Sequence, residues 1–307
     1  MADPVAEVVA LLKPSPSISK LVTGGGQWLV ERSELGSPFY CAVVEGQCLM
    51  TMAGREPMLL GAGDFVLVPE IFSFTMSSVV PPPRGAPARR LETSPGVFQL
   101  GDPDAPAEFR AMVGHCRFGS NDKVLLVSLL PDVILVRGEQ RLSLLVGMIH
   151  DETRAERTAR EMVLGRLLEV LLIEALRSAG GASASPGLLR GMADPQLAST
   201  LRRIHDDPGG NMSVKGLARD AAMSRSTFFE RFRREVGAAP MEYATSWRMA
   251  LAKELLRADV ATAEIARRVG YGSASAFSVA FSRHVGISPG AYSRSPGVTI
   301  NPPMPPP

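Results

Sequence analysis

Histidine is scarce in this chain of 307 residues: there are four, and none precedes His115. A metal centre built on histidines therefore has no such donors across the first third of the sequence. No Ser-His-Asp order, paired-carboxylate signature or phosphate-cradling loop stands out elsewhere. Gly24, Gly25 and Gly26 lack the Lys and Ser/Thr of a phosphate loop and read as a flexible lead into a strand. Catalysis is not indicated, and neither a metal nor a cofactor is expected. Cysteine is sparse too, at Cys41, Cys48 and Cys116. An odd number, with no secretory leader and no apolar run of membrane-spanning length, points to reduced thiols in the cytoplasm. Net charge is small, at +2 over the whole chain. Divided before Asp194, however, the C-terminal part holds 15 Lys and Arg against 10 Asp and Glu, the N-terminal part 18 against 21. A mildly basic half joined to a mildly acidic one suits a module for a polyanion attached to something else.

What the chain does have is a duplication. Phe228, Phe232, Arg234, Val236, Gly237, Pro240 and Tyr243 return 49 residues later as Phe277, Phe281, Arg283, Val285, Gly286, Pro289 and Tyr292. Upstream, Leu217-Ala218, Ala221-Ala222 and Met223 return as Ile265-Ala266, Val269-Gly270 and Tyr271 at an offset of 48. Each copy reads as helix-turn-helix. Ser213 caps a helix over Val214 to Ala221, and Ser224 caps a second that runs to about Val236, where Gly237 ends it. In the second copy a supporting helix spans about Ala261 to Val269, and Ser273 caps a helix to about Val285. The Phe pairs, four apart, bury the inner face of each second helix. Arg225, Ser226, Phe229, Glu230 and Arg233 face outward, as a helix entering a major groove requires. Between the copies, Met241 to Arg257 reads as one helix, with Pro240 in its first turn. If it separates the two recognition helices by about one turn of B-DNA, ~34 Å, both enter successive major grooves of one duplex. Double-stranded DNA is the expected partner.

These stretches, LARDAAMSRSTFFERFRREVGAAPMEY, WRMALAKELLR and EIARRVGYGSASAFSVAFSRHVGISPGAY, resemble the DNA-binding domain of AraC/XylS-family transcriptional regulators over about a third of the chain, Asp194 to Arg294. The resemblance implies seven helices and promoter DNA, with RNA polymerase a further candidate partner. It places base contacts at Ser226, Phe229 and Glu230 in the first unit and at Ala274, Ser275, Ser278 and Val279 in the second. Ser224, Arg225, Arg233, Arg248 and Ser273 complete the candidate interface, and Arg231, Arg234, Arg267, Arg268 and Arg283 are further phosphate candidates. Glu230 suits the cytosine amino group, Ser226 several base edges and Phe229 a thymine methyl. The second helix lacks a long polar side chain there. The first unit is therefore expected to read most of the sequence, and the second to position the domain through phosphates and apolar contact.

The N-terminal half is strand-like from Gln27 to about Met76, with alternation in Phe39, Cys41, Val43 and in Cys48, Met50, Met52. Gly61 to Pro69 resembles a cupin turn-and-strand motif, and Trp28 to Pro69 with His115 to Phe118 looks most like the cupin-type subgroup of those regulators. The expected architecture is α+β: a cupin-like β-barrel over 1–138, dimerisation helices over 139–179, a linker over 180–193 whose Gly180 to Pro186 stretch reads as flexible, the double helix-turn-helix domain over 194–295 and a disordered tail over 296–307. Pro81, Pro82, Pro83 and Pro87 mark an irregular loop before strands resume near Phe98. Phe74 stands where a metal-binding cupin could place a histidine. Trp28, Phe39, Cys41, Met50, Phe72 and Phe74 are candidates for an effector pocket or for plain core. The cysteines read as buried small hydrophobes, or as oxidant sensors of the kind some cupin-type relatives use, with His115 and Arg117 flanking Cys116 and able to lower its pKa. Glu139 to Ile149 and Ala155 to Arg177 form two amphipathic helices. The apolar arc of the second is wider than packing on the barrel needs, which points to a homodimer. The reading is a sequence-specific DNA-binding transcription regulator that senses a small molecule or chemical stress. The alternatives are a regulator that has lost effector binding, a redox-responsive regulator acting through its cysteines, and a cupin enzyme, metal-dependent or not, carrying a DNA-binding tail.

Overall fold

A computed structural model of the chain describes residues 3–32, 38–70, 73–83, 85, 89–120, 126, 127, 129–179 and 186–294. They form two compact units. One comprises the described residues of Lys13–Gly119 and Asp132–Ala179. The other comprises those of Met1–Leu12, Ser120–Pro131 and Gly180–Pro307.

The first unit is two sheets and two helices. Its strands are β1 (Pro14–Gly25), β2 (Leu29–Arg32), β3 (Phe39–Glu45), β4 (Gln47–Met52), β5 (Met58–Gly61), β6 (Phe65–Val68), β7 (Phe74–Ser77), β8 (Arg90–Ser94), β9 (Val97–Gly101), β10 (Ala107–Phe118) and β11 (Ile134–Val136). The larger sheet runs β11-β6-β3-β10-β1-β9-β8, the smaller β2-β7-β4-β5. Side-chain alternation builds the core. Phe39, Cys41 and Val43 of β3 and Ala111 and Val113 of β10 meet Cys48, Met50, Met52, Phe74 and Met76 of the smaller sheet. Tyr40 and Gly114, paired in register, have the opposite parity. That outer face of the larger sheet carries α2 (Gln140–Arg154) and α3 (Arg160–Ser178), and Ser19 of β1 lies 3.4 Å from Nδ1 of His150 in α2.

The cupin-like turn has a physical basis in Asp64. Its nearly buried carboxylate accepts from the Gly61 N–H at 2.9 Å and pairs with Arg137, while Gly63 supplies the left-handed backbone at φ 86°. The glycines at 24–26 are not a flexible lead. Gly24 and Gly25 lie inside β1, and a Cβ on Gly24 would come within 2.4 Å of the Trp28 indole nitrogen. Gly24 is small because an indole packs on it, and Gly25 because its Cβ would stand 2.9 Å from the Ala105 carbonyl oxygen.

The second unit is helical: α1 (Pro4–Leu12), α4 (Leu188–Ala193), α5 (Pro195–Asp206), α6 (Val214–Asp220), α7 (Arg225–Val236), α8 (Pro240–Arg257), α9 (Thr262–Arg268), α10 (Ala274–Val285) and α11 (Pro289–Arg294). The seven helices from α5 onward match the expected number. Residues 3–12, expected with the barrel, pack here instead. Val8, Val9 and Leu12 are buried, and Glu7 accepts from Nδ1 of buried His205 at 2.8 Å. The His205 Nε2 then accepts from the Tyr243 hydroxyl, also at 2.8 Å.

Three expected boundaries move. The linker is helical over Leu188–Ala193, because Leu188 and Leu189 are buried and Arg190 pairs with Glu235 of α7 at 2.5 Å. The helix expected from Ala155 begins at Arg160, after Ala159 takes a left-handed φ of 63°. The one expected to end at Ile149 continues to Arg154. Residues 180–185 of the linker, the tail over 296–307, Pro87 and Phe72 lie outside the described residues.

Candidate nucleic-acid interface and effector cavity

The two helix-turn-helix copies keep one geometry. Phe228 and Phe232 have ring centroids 5.5 Å apart, with Tyr243 edge-on to Phe232 at 5.9 Å. Phe277 and Phe281 are again 5.5 Å apart, with Tyr292 edge-on to Phe281 at 5.6 Å. Ser224 accepts from Thr227 N–H at 3.2 Å and Ser273 from Ala276 N–H at 3.1 Å, capping α7 and α10. Gly237 and Gly286 end these helices at φ 84° and 88°. The aromatic residues are all buried, so each copy is pinned by its own core.

Helix α8 serves both cores. Tyr243 and Trp247 lie against the first, while Met249, Ala252 and Leu256 belong to the second. Its 18 residues make a rod about 27 Å long at ~1.5 Å per residue. Arg248 sits between the two halves. It was expected to bind phosphate, but its guanidinium donates to the Pro208 carbonyl at 2.6 Å and the Gly210 carbonyl at 2.9 Å. A Cβ on Gly209 would lie 2.9 Å from the Arg268 carbonyl. Arg248 therefore holds the α5–α6 loop of the first copy close to the turn of the second.

Other phosphate candidates are engaged as well. Arg231 donates to Asp194 at 2.6 Å, fastening α7 to the cap of α5, and Arg234 pairs with Glu235 at 2.7 Å. The two arginines beside Glu235 hold its carboxyl below the usual carboxylate range. Arg267 and Arg268 of α9 both donate to Glu264, at 2.7 to 2.9 Å. Those bonds bring the Glu264 carboxyl down to about 2.

The first copy differs. Its counterpart of Glu264 is Gly216, and Asp220 is taken by Arg203 of α5. Among the described residues, exposed Lys215, Arg219, Arg225 and Arg233 form no ion pair. Lys215, Arg219 and Arg225 line one open groove beside the start of α7. Lys215 and Arg219 were missed from the sequence. Their signal was Arg219 matching Arg267 in a copy that has no matching glutamate.

Of the expected base-reading residues, Ser226 and Glu230 are exposed and Phe229 is half-buried on α7. Glu230 makes no ion pair with another described residue. On α10, Ser275 is exposed and Val279 is 72% exposed, but the Ser278 hydroxyl donates to the Ala274 carbonyl of its own helix at 2.8 Å, and both residues are half-buried.

In the β unit a cleft opens between the sheets. Its void, counted with the solvent at its mouth, is about 510 Å³. Trp28 and Phe39 line it as expected, with Val22, Val30, Met76, Phe98, Leu100, Phe109 and Val113. Lys20, Arg32 and Arg90 supply its charge. Cys41, Met50 and Phe74 do not line it. They fill the solid core, at most 2% exposed, and the Phe74 ring covers Phe39 at 4.9 Å. The difference arises in part because β1, which brings Lys20 and Val22 to the lining, was not read as a strand from the sequence.

The cysteines are all buried and free. Cys116 shares the outer face with Tyr40, opposite to Cys41, whose register partner is Val113. The flanking His115 and Arg117 do not lower the thiol of Cys116. Burial pushes it up to about 12. Cys48 is likewise raised to about 12 by burial, and Cys41 well above its ordinary value. Among the described residues no three His, Cys, Asp or Glu side chains converge as a metal site would need. None of the helices there is long and apolar enough to cross a membrane.

Paired helix-turn-helix units and a separate two-sheet unit on one chain define a DNA-binding regulator with an effector domain. Comparison with known proteins agrees. Residues 3–179 match the family described as Cupin, and residues 217–295 the family described as Helix-turn-helix domain. A Streptomyces antibioticus protein described as an AraC-like transcription regulator is 35% identical over 96% of this chain and 99% of its own. A Streptomyces lividans counterpart is 34% identical over the same shares. The DNA-binding domain of AdpA, solved with a target DNA, is 35% identical over 33% of this chain and 90% of that one, with a TM-score of 0.31. The chain belongs to the AraC-like transcription regulators: a DNA-binding protein with a cupin effector domain. Its relatives are regulators, not enzymes.

Proposed function

We propose that this regulator reads its operator mainly through α7 and docks α10 beside it by apolar contact. The carrying observation is the asymmetry of charge between the copies. Glu230 and Ser226 stand exposed on α7, flanked by Lys215, Arg219, Arg225 and Arg233, whereas Arg267 and Arg268 of the second copy are neutralised by Glu264. Phosphate anchoring thus belongs more to the first copy than the sequence suggested, with Val279 the most exposed apolar contact of the second. The barrel cleft is the effector site, and a ligand acts by favouring one arrangement of two DNA-binding domains in a homodimer. At a promoter in the cytoplasm, that arrangement governs access of RNA polymerase.

An operator selected from random duplex, then changed one base pair at a time, tests the asymmetry by fluorescence anisotropy. Substitutions under α7 are expected to weaken binding about 10- to 100-fold, those under α10 about threefold or less. Equal losses from the two grooves would sink the proposal.

A further inference from the structure

We propose that the barrel cleft takes a small organic anion: an apolar body no larger than one aromatic ring, with a carboxylate at the mouth. This rests on reading the barrel as the effector domain and specifies the ligand class. Size comes from the void, of which only about 40 Å³ is free to the centre of a water molecule. Such a space holds a ring or a short chain and little more. The body is set by the walls, where Trp28, Phe98 and Phe109 are each no more than 8% exposed and the tilted rings of Trp28 and Phe109 pack with centroids 5.0 Å apart. A strongly hydrated inorganic anion would gain nothing from those rings.

Charge comes from the rim. Lys20 of β1, Arg32 of β2 and Arg90 of β8 reach one mouth from three strands, and no carboxylate lines it among the described residues. Two of these cations share one ring: Lys20 Nζ lies 4.9 Å and Arg90 Cζ 4.2 Å from the Phe98 centroid. Lys20 and Arg32 have further partners within the protein. Arg90 is exposed, sits on the edge strand and is the principal hand for the carboxylate. A mouth of this sign repels amines and gives neutral analogues only an uncharged, weaker acceptor for the guanidinium.

Three compounds of one shape test the class: phenylacetate, 2-phenylethanol and 2-phenylethylamine, each titrated calorimetrically into the full chain. Phenylacetate is expected to bind about tenfold or more tightly than the alcohol, and the amine not measurably. Arg90→Gln, an exposed change, should remove most of that preference and leave binding of the alcohol as it was. The proposal is overturned if none of the three binds, if the alcohol or amine equals the carboxylate, or if Arg90→Gln has no effect. Binding that follows the expected order without changing operator affinity would keep the ligand class and end the effector reading.

Discussion

Cys41 and Cys48 occupy facing sheets of one core, and Cys116 lies on the far side of the larger sheet. A thiol must ionise to attack or be oxidised readily, and burial opposes ionisation at all three positions. At pH 8 the native protein should therefore resist iodoacetamide, while in urea all three thiols react. Mass spectrometry of the alkylated chain reads this directly, and rapid native labelling of any one would restore the redox reading. The same shifts carry a stability consequence. Cys48 and Cys116 titrate near 12 in the fold against about 9 when unfolded. Their contribution is complete below pH 9 and is lost as pH rises toward 12, so the urea midpoint of the β unit should fall between pH 8.5 and pH 11, roughly the window between those two values. Glu264 acts at the same scale on DNA. Removing its charge with Glu264→Gln frees Arg267 and Arg268, so operator affinity should rise and the salt slope steepen by about 1 to 2. An unchanged slope would show that those arginines never approach phosphate.

The helix-turn-helix element contains its own control. The turn residue is Ala222 in the first copy, at φ 53°, and Gly270 in the second, at φ 80°. Left-handed backbone costs an L-residue ~1–2 kcal/mol, and glycine returns ~0.5–1 through its freer unfolded chain. Ala222→Gly should therefore stabilise the helical unit by about 0.5 kcal/mol. Gly270→Ala gains the chain entropy but adds left-handed strain and a Cβ 2.7 Å from the Gly209 carbonyl oxygen, and should cost about 2 kcal/mol. Denaturation followed by far-UV circular dichroism separates the two signs. This element was legible in the sequence because its signals are local: caps, a Phe pair, a closing glycine, all written twice. The barrel was legible only in part. Strand β4 alternates cleanly and β3 is a continuous apolar run, but β1 begins with Pro14 and Pro16 and ends in two glycines, which local reading takes for a loop. It is nevertheless a central strand, paired on both sides, and with it went Lys20 and Val22 of the cleft. The fate of Arg248 was hidden for the same reason: its partners, Pro208 and Gly210, are 40 and 38 residues away.

For the whole molecule the open faces of α2 and α3 matter most. Leu144 and Met148, one turn apart on α2, are 61% and 55% exposed, and Met162, Val163 and Val170 on α3 are 71%, 41% and 39% exposed. Leu164, Leu168, Leu171 and Leu172 already pack α3 inward, so these outer residues are surplus to the fold. Single exposed apolar side chains are ordinary, but five on two adjacent helices are the kind of surface that a second copy covers. Charging it with Leu144→Glu and Met162→Glu leaves the inward core intact. Sedimentation of the full chain should then shift from dimer to monomer, with the thermal midpoint of the β unit changed little. Operator binding should lose its dependence on a second site while each helix-turn-helix pair still binds one site. A wild-type chain that sediments as a monomer at high concentration would contradict this assembly, and an effector would then have to act within one chain rather than by setting two DNA-binding domains apart.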